Sequence, residues 1–213
     1  MKKGLFITFE GMEGCGKSTQ IQLLAEKLRS AGHIVEITRS PGGTPVAEKI
    51  RELLKVPTPG DDLEPETELL LFGACHAQMT RHLVQPLLAK GGILLCDRFF
   101  DSTTAYQGYA RGLGAEKVRQ INRFSCGDVE PDLTLLLDLD PEIGIARSRK
   151  RGGAEGDRFD SEKMKFHQDV RNAFLTLAAE NPHRFRIIHA AGTQDEVHQE
   201  IMEAVYGKLA ELS

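Results

Sequence analysis

The sequence has no excess of positive charge, no long apolar run and no cysteines in metal-ligand spacing. Its 27 Lys and Arg residues are outnumbered by 31 Asp and Glu, for a formal charge of -4. A general nucleic-acid binder shows a basic excess, so nucleic acid is not an expected partner. No apolar stretch approaches the ~20 residues that span a bilayer, so no membrane-spanning helix is expected. The opening residues, Met1 to Glu10, join two lysines to a short apolar run. Glu10 cuts that run off and no small-residue cleavage site follows, which argues against a secretory signal. Cys15, Cys75, Cys96 and Cys126 are scattered, as reduced thiols of a cytoplasmic protein would be. Repeats and low-complexity tails are also lacking. What is present, 40% hydrophobic and 27% charged residues in a chain of 213, is ordinary for a soluble globular protein. At roughly 150 residues per domain the chain reads as a single domain, residues 1–213. A chain of this size buries about 70% of its unfolded surface and needs no covalent staple.

Short apolar runs alternate with helical periodicity, the pattern of an α/β protein with a parallel sheet. Five strands are expected, at Leu5–Phe9, Ile34–Thr38, Ile93–Cys96, Leu133–Leu139 and Arg184–Ile188. Between them lie helical patterns. Lys17–Ala31 carries Ile21, Leu24 and Leu28 on one face, and Thr44-Pro45 opens a helix with Val46, Ile50, Leu53 and Leu54 inward. A long helix from Pro65 to Leu88 is expected to bend or break near Pro86. Helices at Ser102–Gln107 and Glu116–Ser125 flank a loop from Gly108 to Gly114, and Glu142–Arg149 reads as another helix. Ser161 is placed to cap a helix bearing Phe166, Val170, Phe174 and Leu177. Thr193-Gln194-Asp195-Glu196 has the capping-box form and starts a last helix with Val197, Ile201, Val205 and Leu212 inward.

The first strand runs into Gly11-Met12-Glu13-Gly14-Cys15-Gly16-Lys17-Ser18, the pattern G-x-x-x-x-G-K-[ST] in the strand-to-helix context it requires. The glycines let backbone N–H groups turn in around phosphate oxygens, and the helix N-terminus adds partial positive charge. Lys17 reaches the β- and γ-phosphates and the Ser18 hydroxyl is a Mg²⁺ ligand in such a loop. The motif indicates nucleotide triphosphate binding without naming a reaction. Its G-x-x-G-x-G-K-[ST] spacing is also that of shikimate kinases. No N-K-x-D or D-x-x-G occurs anywhere, which leaves a GTPase unsupported. A second apolar strand ends in Asp97, placed to orient Mg²⁺ or its waters, and Arg98 follows with a planar guanidinium suited to a second phosphate.

On these residues the chain resembles the thymidylate kinases along essentially its whole length. Asp97-Arg98-Phe99-Phe100-Asp101-Ser102-Thr103-Thr104-Ala105-Tyr106-Gln107-Gly108 is similar to the family's D-R-[YF]-x-x-S-x-x-A-Y-Q-G, Thr38-Arg39-Ser40-Pro41-Gly42-Gly43-Thr44 to T-R-E-P-G-G-T, and Asp157-Arg158-Phe159-Asp160 to D-R-[FY]-[ED]. The resemblance implies a three-layer P-loop fold, five parallel strands between helices, with a short lid at about 147–158. It implies transfer from MgATP to dTMP, with Mg²⁺ held by Ser18 and Asp97. ATP would occupy Gly11, Met12, Glu13, Gly14, Cys15, Gly16, Lys17, Ser18 and Thr19, with Arg147 packed on adenine. Arg39 and Arg98 would bind the dTMP phosphate and Glu13 the sugar 3′-hydroxyl. Phe72 would stack on thymine, Tyr106 would lie against the sugar, and Thr103 and Gln107 would read the base. From pattern alone, Phe72 in Leu69-Leu70-Leu71-Phe72 reads as core. Lys17, Asp97, Arg98 and Arg151 form the expected catalytic set, and a cytoplasmic homodimer is the expected state.

The chain departs from the family in two places. His76 stands where the family has Arg against the base, and Ser40 where it has Glu. Arg offers five donors and a fixed charge, neutral His one donor. His76 is therefore expected to face the base but to hold it less tightly, and a monophosphate kinase of altered base choice is the alternative. A nucleotide-dependent switch without transfer would leave Arg39 and Arg98 unused. Gly14 also replaces an arginine that some members carry in the loop, so lid cations are expected to supply that charge. Arg151 leads among Arg147, Arg149, Lys150, Arg151 and Arg158. The attacking group is a phosphate oxygen, ionised near neutrality with a second pKa of about 6, so no general base is needed. Catalysis then reduces to alignment and charge neutralisation.

Overall fold

The computed structural model describes residues 4–56, 60–150 and 163–211. Five parallel strands form one sheet in the order β2-β3-β1-β4-β5: β1 (Leu5–Glu10), β2 (Val35–Arg39), β3 (Ile93–Asp97), β4 (Leu133–Asp138) and β5 (Phe185–His189). The registers Thr8↔Cys96 and Thr8↔Thr134 place β1 between β3 and β4. Each β1 residue is buried, as a central strand covered on both faces requires.

Alternation along the strands divides the core between two faces. Leu5, Ile7 and Phe9 pack with Leu95, Leu135 and Leu137 against α1 (Lys17–Ser30) and α9 (Gln194–Glu211). On the opposite face, Phe6, Leu94 and Cys96 meet Met79, Val84 and Leu87, while Leu136 meets Val170, Phe174 and Leu177 of α8 (Met164–Glu180). The expected capping box is made: Thr193 N donates to Glu196 Oε2 at 2.7 Å and Glu196 N to Thr193 Oγ1 at 3.3 Å. Ser161 and Leu212 lie outside the described residues.

Several elements differ from expectation for identifiable reasons. Thr44 caps α2 (Pro45–Lys55) as expected, accepting from Ala47 N at 3.2 Å. Its inward face, however, is Ala47, Ile50 and Leu54, while Val46 is 50% and Leu53 59% exposed. Two apolar stripes share this helix, and only tertiary packing decides between them. The long helix is interrupted near Pro86, as expected, but by a wide turn rather than a loop. α3 (Pro65–Met79) widens into a π-turn at Thr80–Val84, where Gln85 N donates to Thr80 O, and α4 (Gln85–Ala89) follows with Pro86 in its first turn. The proline ring would collide with the carbonyl four residues back in a regular helix, and the wide turn relieves this. Likewise α5 (Phe100–Thr103) passes into a wide turn at Thr104–Ala110 before α6 (Ala115–Cys126). Gly108 sits inside that turn, where a Cβ would lie 3.1 Å from Ala115 Cα, so it permits close packing. The strand β4 leads into α7 (Pro141–Lys150).

A buried polar knot ties the turn after β3 to the amino-terminal ends of β4 and β5. Arg184 donates to Asp101 Oδ2 at 2.7 Å, Asp101 Oδ1 at 2.8 Å and Thr134 Oγ1 at 2.9 Å. Thr134 in turn meets Thr8 across the β1–β4 pair at 3.0 Å. Asp101 is the charge that Arg184 bonds directly, and Glu130 and Glu10 add weaker attraction. Asp101→Ala is therefore expected to destabilise the protein by ~3–5 kcal/mol in urea unfolding, because it strands a buried guanidinium. A loss below about 1 kcal/mol would mean that water already reaches Arg184.

Candidate active site

The site forms where β1, β2 and β3 end, at the carboxyl edge of the sheet where open α/β folds bind ligands. The β1–α1 connection turns through Gly14 at φ 74° and Gly16 at φ 100°, conformations that β-carbons disfavour. Lys17 Nζ folds back on this loop, donating to Met12 O at 2.9 Å and Gly11 O at 3.1 Å, with Cys15 Sγ at 3.7 Å. Gly16 caps α1 without a side-chain bond, so the first N–H groups of that helix remain available to an anion. Ser18 and Thr19 are exposed at the same end. Gly14 has a further constraint. A Cβ there would meet Gly144 O at 2.0 Å, and a Cβ on Gly144 would meet Glu13 O at 2.5 Å. α7 thus lies backbone to backbone on the loop, and an arginine at position 14 has no room.

At the end of β3, Arg98 adopts φ 69°, the left-handed region that non-glycine residues avoid. Main-chain and buried acceptors hold it there. Arg98 N donates to Phe9 O at 3.0 Å and Phe99 N to Glu10 Oε1 at 2.8 Å. The turn aims the Arg98 guanidinium at Glu13 Oε1, 2.6 Å away, and at Ser102 Oγ, 3.0 Å away. The Ser102 hydroxyl donates to Glu10 Oε2 at 2.5 Å. Tyr106 OH donates to the Glu13 carboxylate at 3.2–3.3 Å, and Arg98 lies over the Tyr106 ring at 5.2 Å. Beside them Ser18 Oγ donates to Asp97 Oδ2 at 3.2 Å. On β2, Arg39 pairs with Glu48 at 2.9 Å.

Eight residues singled out for the acceptor, Glu13, Arg39, Phe72, His76, Arg98, Thr103, Tyr106 and Gln107, line one cavity, together with Asp97. Phe72 is half-buried and serves both readings, packing beside Ala47, Leu54 and Cys75 while facing this cavity. His76 is fully buried, edge-on to Phe99 at 5.0 Å, and neither ring nitrogen has a protein partner among the described residues. Arg147, on α7, donates to Ala190 O at 3.2 Å after β5, away from the acceptor cavity. Arg151, Arg158 and the Asp157–Asp160 motif lie outside the described residues. Sequence reasoning missed Glu10, Arg51, Lys55 and Ser102. Arg51 and Lys55 line the cavity four residues apart on α2, a spacing that could have marked them. Glu10 looked only like the end of an apolar run.

Burial and neighbouring charges together set the protonation states. Burial pushes the Glu10 carboxyl up from about 4.5 to about 7, helped by the charge of Asp101 and opposed by Arg98 and the Ser102 and Phe99 bonds. For Glu13, burial acts upward too, but Arg98 and Lys17 outweigh it and hold this carboxyl below its usual range. His76 is pushed down to about 3 by burial alone and stays a neutral imidazole.

Three comparisons bear on the site. A family model described as thymidylate kinase matches residues 9–201. The thymidylate kinase of Pseudomonas fluorescens is 49% identical over 210 residues, covering 99% of this chain and 98% of its own. That of Syntrophotalea carbinolica is 48% identical over 196 residues, 90% of each chain. The crystal structure of thymidylate kinase from Ehrlichia chaffeensis superposes with a TM-score of 0.75 at 34% identity, covering 95% of this chain and 99% of that one.

The protonated Glu10 carries a stability signature. In the folded chain it keeps its proton up to about pH 7, whereas the unfolded chain releases it near pH 4.5. Its contribution is full below that lower pH and fades as pH rises through 7. Glu10→Gln copies the protonated form. Between pH 5 and 8 the wild-type protein should lose thermal stability relative to Glu10→Gln, by up to roughly 3 kcal/mol. Parallel melting profiles for the two proteins would reject this assignment.

Proposed function

The chain belongs to the thymidylate kinase family and is a nucleoside monophosphate kinase that phosphorylates dTMP with ATP as donor, and from that premise we propose how its residues divide the reaction. The observation that carries the assignment is the meeting of eight acceptor-side residues on one cavity directly beside the phosphate loop. The loop from Gly11 to Ser18, with Thr19, holds the ATP phosphates on its N–H groups. Lys17 leaves the carbonyls of Gly11 and Met12 to follow the β- and γ-phosphates. Arg147, anchored to Ala190 O, packs against the adenine.

On the acceptor side, Arg98 and Arg39 hold the dTMP phosphate, and Arg51 and Lys55 add charge to the same cavity. Arg98 is already partly desolvated against Glu13, so its geometry is set before substrate arrives. Glu13, held ionised, accepts from the sugar 3′-hydroxyl. Tyr106 closes over the 2′ position, where a hydroxyl would crowd its ring. Phe72 stacks on thymine, and Thr103, Gln107 and His76 face the base edge.

A divalent cation fits the donors present. Ser18 and Asp97 offer a hydroxyl and one carboxylate, adjacent and open to the loop, the sparse oxygen set from which Mg²⁺ shared with phosphates is bound. When bound it supplies charge neutralisation at the transferring phosphoryl group. An ionised phosphate oxygen of dTMP attacks the γ-phosphorus in line, ADP leaves, and no side chain needs to take a proton. Arg151 supplies the cation that stabilises the transferring charge. We further read residues 1–213 as one domain and the protein as a cytoplasmic homodimer. No helix among the described residues is long and apolar enough to cross a membrane. Leu70 on α3 and Phe124 on α6 are 60% and 85% exposed on two helices that pack together, an apolar face suited to a second copy.

A panel of dTMP, dUMP, dCMP, dGMP and UMP with MgATP tests this reading. Fastest turnover of dTMP is expected, and preference for another base would support the altered-specificity alternative raised by His76 and Ser40. In the same assay Arg151→Ala should lose ~10³-fold in kcat. Near-normal kcat would move that role to another lid cation.

A further inference from the structure

Glu68, in the first turn of α3, was given no role by sequence, yet its side chain is 1% exposed. Its Oε1 accepts from Gln107 Nε2 at 2.7 Å, and Arg111 Nε stands 3.7 Å from the same oxygen, compensating its charge. Gln107 is itself 1% exposed and lines the acceptor cavity, while its Oε1 has no partner among the described residues. Chemistry dictates this orientation. A carboxylate only accepts, so the amide must turn its NH₂ to Glu68 and its carbonyl is the end left over.

His76, on the neighbouring cavity wall, cannot supply the same selectivity. His76 has two unpartnered ring nitrogens, and a neutral imidazole places its single proton on either one. It can therefore donate to a carbonyl oxygen or accept from an amino group. Thymine and cytosine differ in two ways at this edge. Thymine presents a carbonyl oxygen and a ring N–H, whereas cytosine presents an amino group and a bare ring nitrogen. A tautomerising His76 tolerates both, and only a fixed acceptor rejects the bare nitrogen.

We propose that Glu68 is a specificity-determining positioning residue: by taking the Gln107 amide N–H it turns the Gln107 carbonyl into the cavity and makes the site require a pyrimidine with a ring N–H donor. The assignment rests on the function proposed above and deepens it. Gln107 touches the base, and Glu68 acts on the base through Gln107.

The test is a comparison of KM and kcat for dTMP and dCMP in the wild-type enzyme and in Glu68→Gln. A glutamine at position 68 donates as well as accepts, so Gln107 is free to turn over. The dTMP KM should rise about 10-fold with kcat little changed, and the ratio of kcat/KM for dTMP over dCMP should fall at least ~10-fold. A ratio that stays constant, including one kept while kcat falls for both substrates, would overturn the proposal. A second measurement needs no variant. A dTMP analogue with C–H in place of the ring N–H leaves the Gln107 carbonyl unpaired, and its KM with the wild-type enzyme should be about 10- to 100-fold higher. An unchanged KM would overturn the proposal even if Glu68→Gln failed to fold. Absence of dTMP turnover by the wild-type enzyme would instead remove the function reading and this proposal with it.

Discussion

Two phosphate groups, both anionic, must be held end to end, and the Arg98–Glu13 pair joins the two places proposed to hold them. At 2.6 Å it ties the turn after β3 to the phosphate loop, so the acceptor cation and the donor loop share one rigid element. Glu13 belongs to the loop by sequence and to the acceptor cavity by position. Its carbonyl also lies against α7 at Gly144. Loop, cavity and α7 therefore meet at Glu13 and its neighbour Gly14.

That arrangement costs stability in ways the structure displays. Arg98 sits at φ 69°, a conformation that costs of order 1–3 kcal/mol and persists only where surroundings impose it. Glu10 is buried with an elevated pKa, and Asp101 and Arg184 are buried as an ion pair behind it. Buried charge of this kind is weak evidence for stability. Here its effect is positional, because Glu10 grips both ends of the turn, at Phe99 N and Ser102 Oγ. The apolar clusters on the two faces of the sheet offset these costs by ordinary burial.

Much of this was legible in the chain. The strands, the phosphate loop and the Thr193 capping box depend on local chemistry and appear where the residues predict. Arg98 stood out from the residues alone, whereas Phe72, Tyr106 and Gln107 became candidates only through the thymidylate kinase resemblance, since they have no local pattern that separates packing from binding. Other features depend on tertiary contacts that no window of sequence contains. α2 carried two apolar stripes, and contact with α3 chose Ala47 and Leu54 over Val46 and Leu53. Pro86 was absorbed by a widened turn upstream of it. Glu10 and Glu68 were illegible for one shared reason. Each is an acid whose role is set by a partner far along the chain, Phe99 and Ser102 for one and Gln107 for the other.

The central claim is that Arg98 is the cation on which acceptor binding and charge neutralisation converge. Steady-state kinetics of Arg98→Ala, with ATP affinity measured in parallel, tests it most directly. kcat/KM for dTMP should fall by about 10³-fold while ATP binding is preserved. A variant that kept kcat/KM within about 10-fold of wild type, where a single surface contact would leave it, would contradict the account.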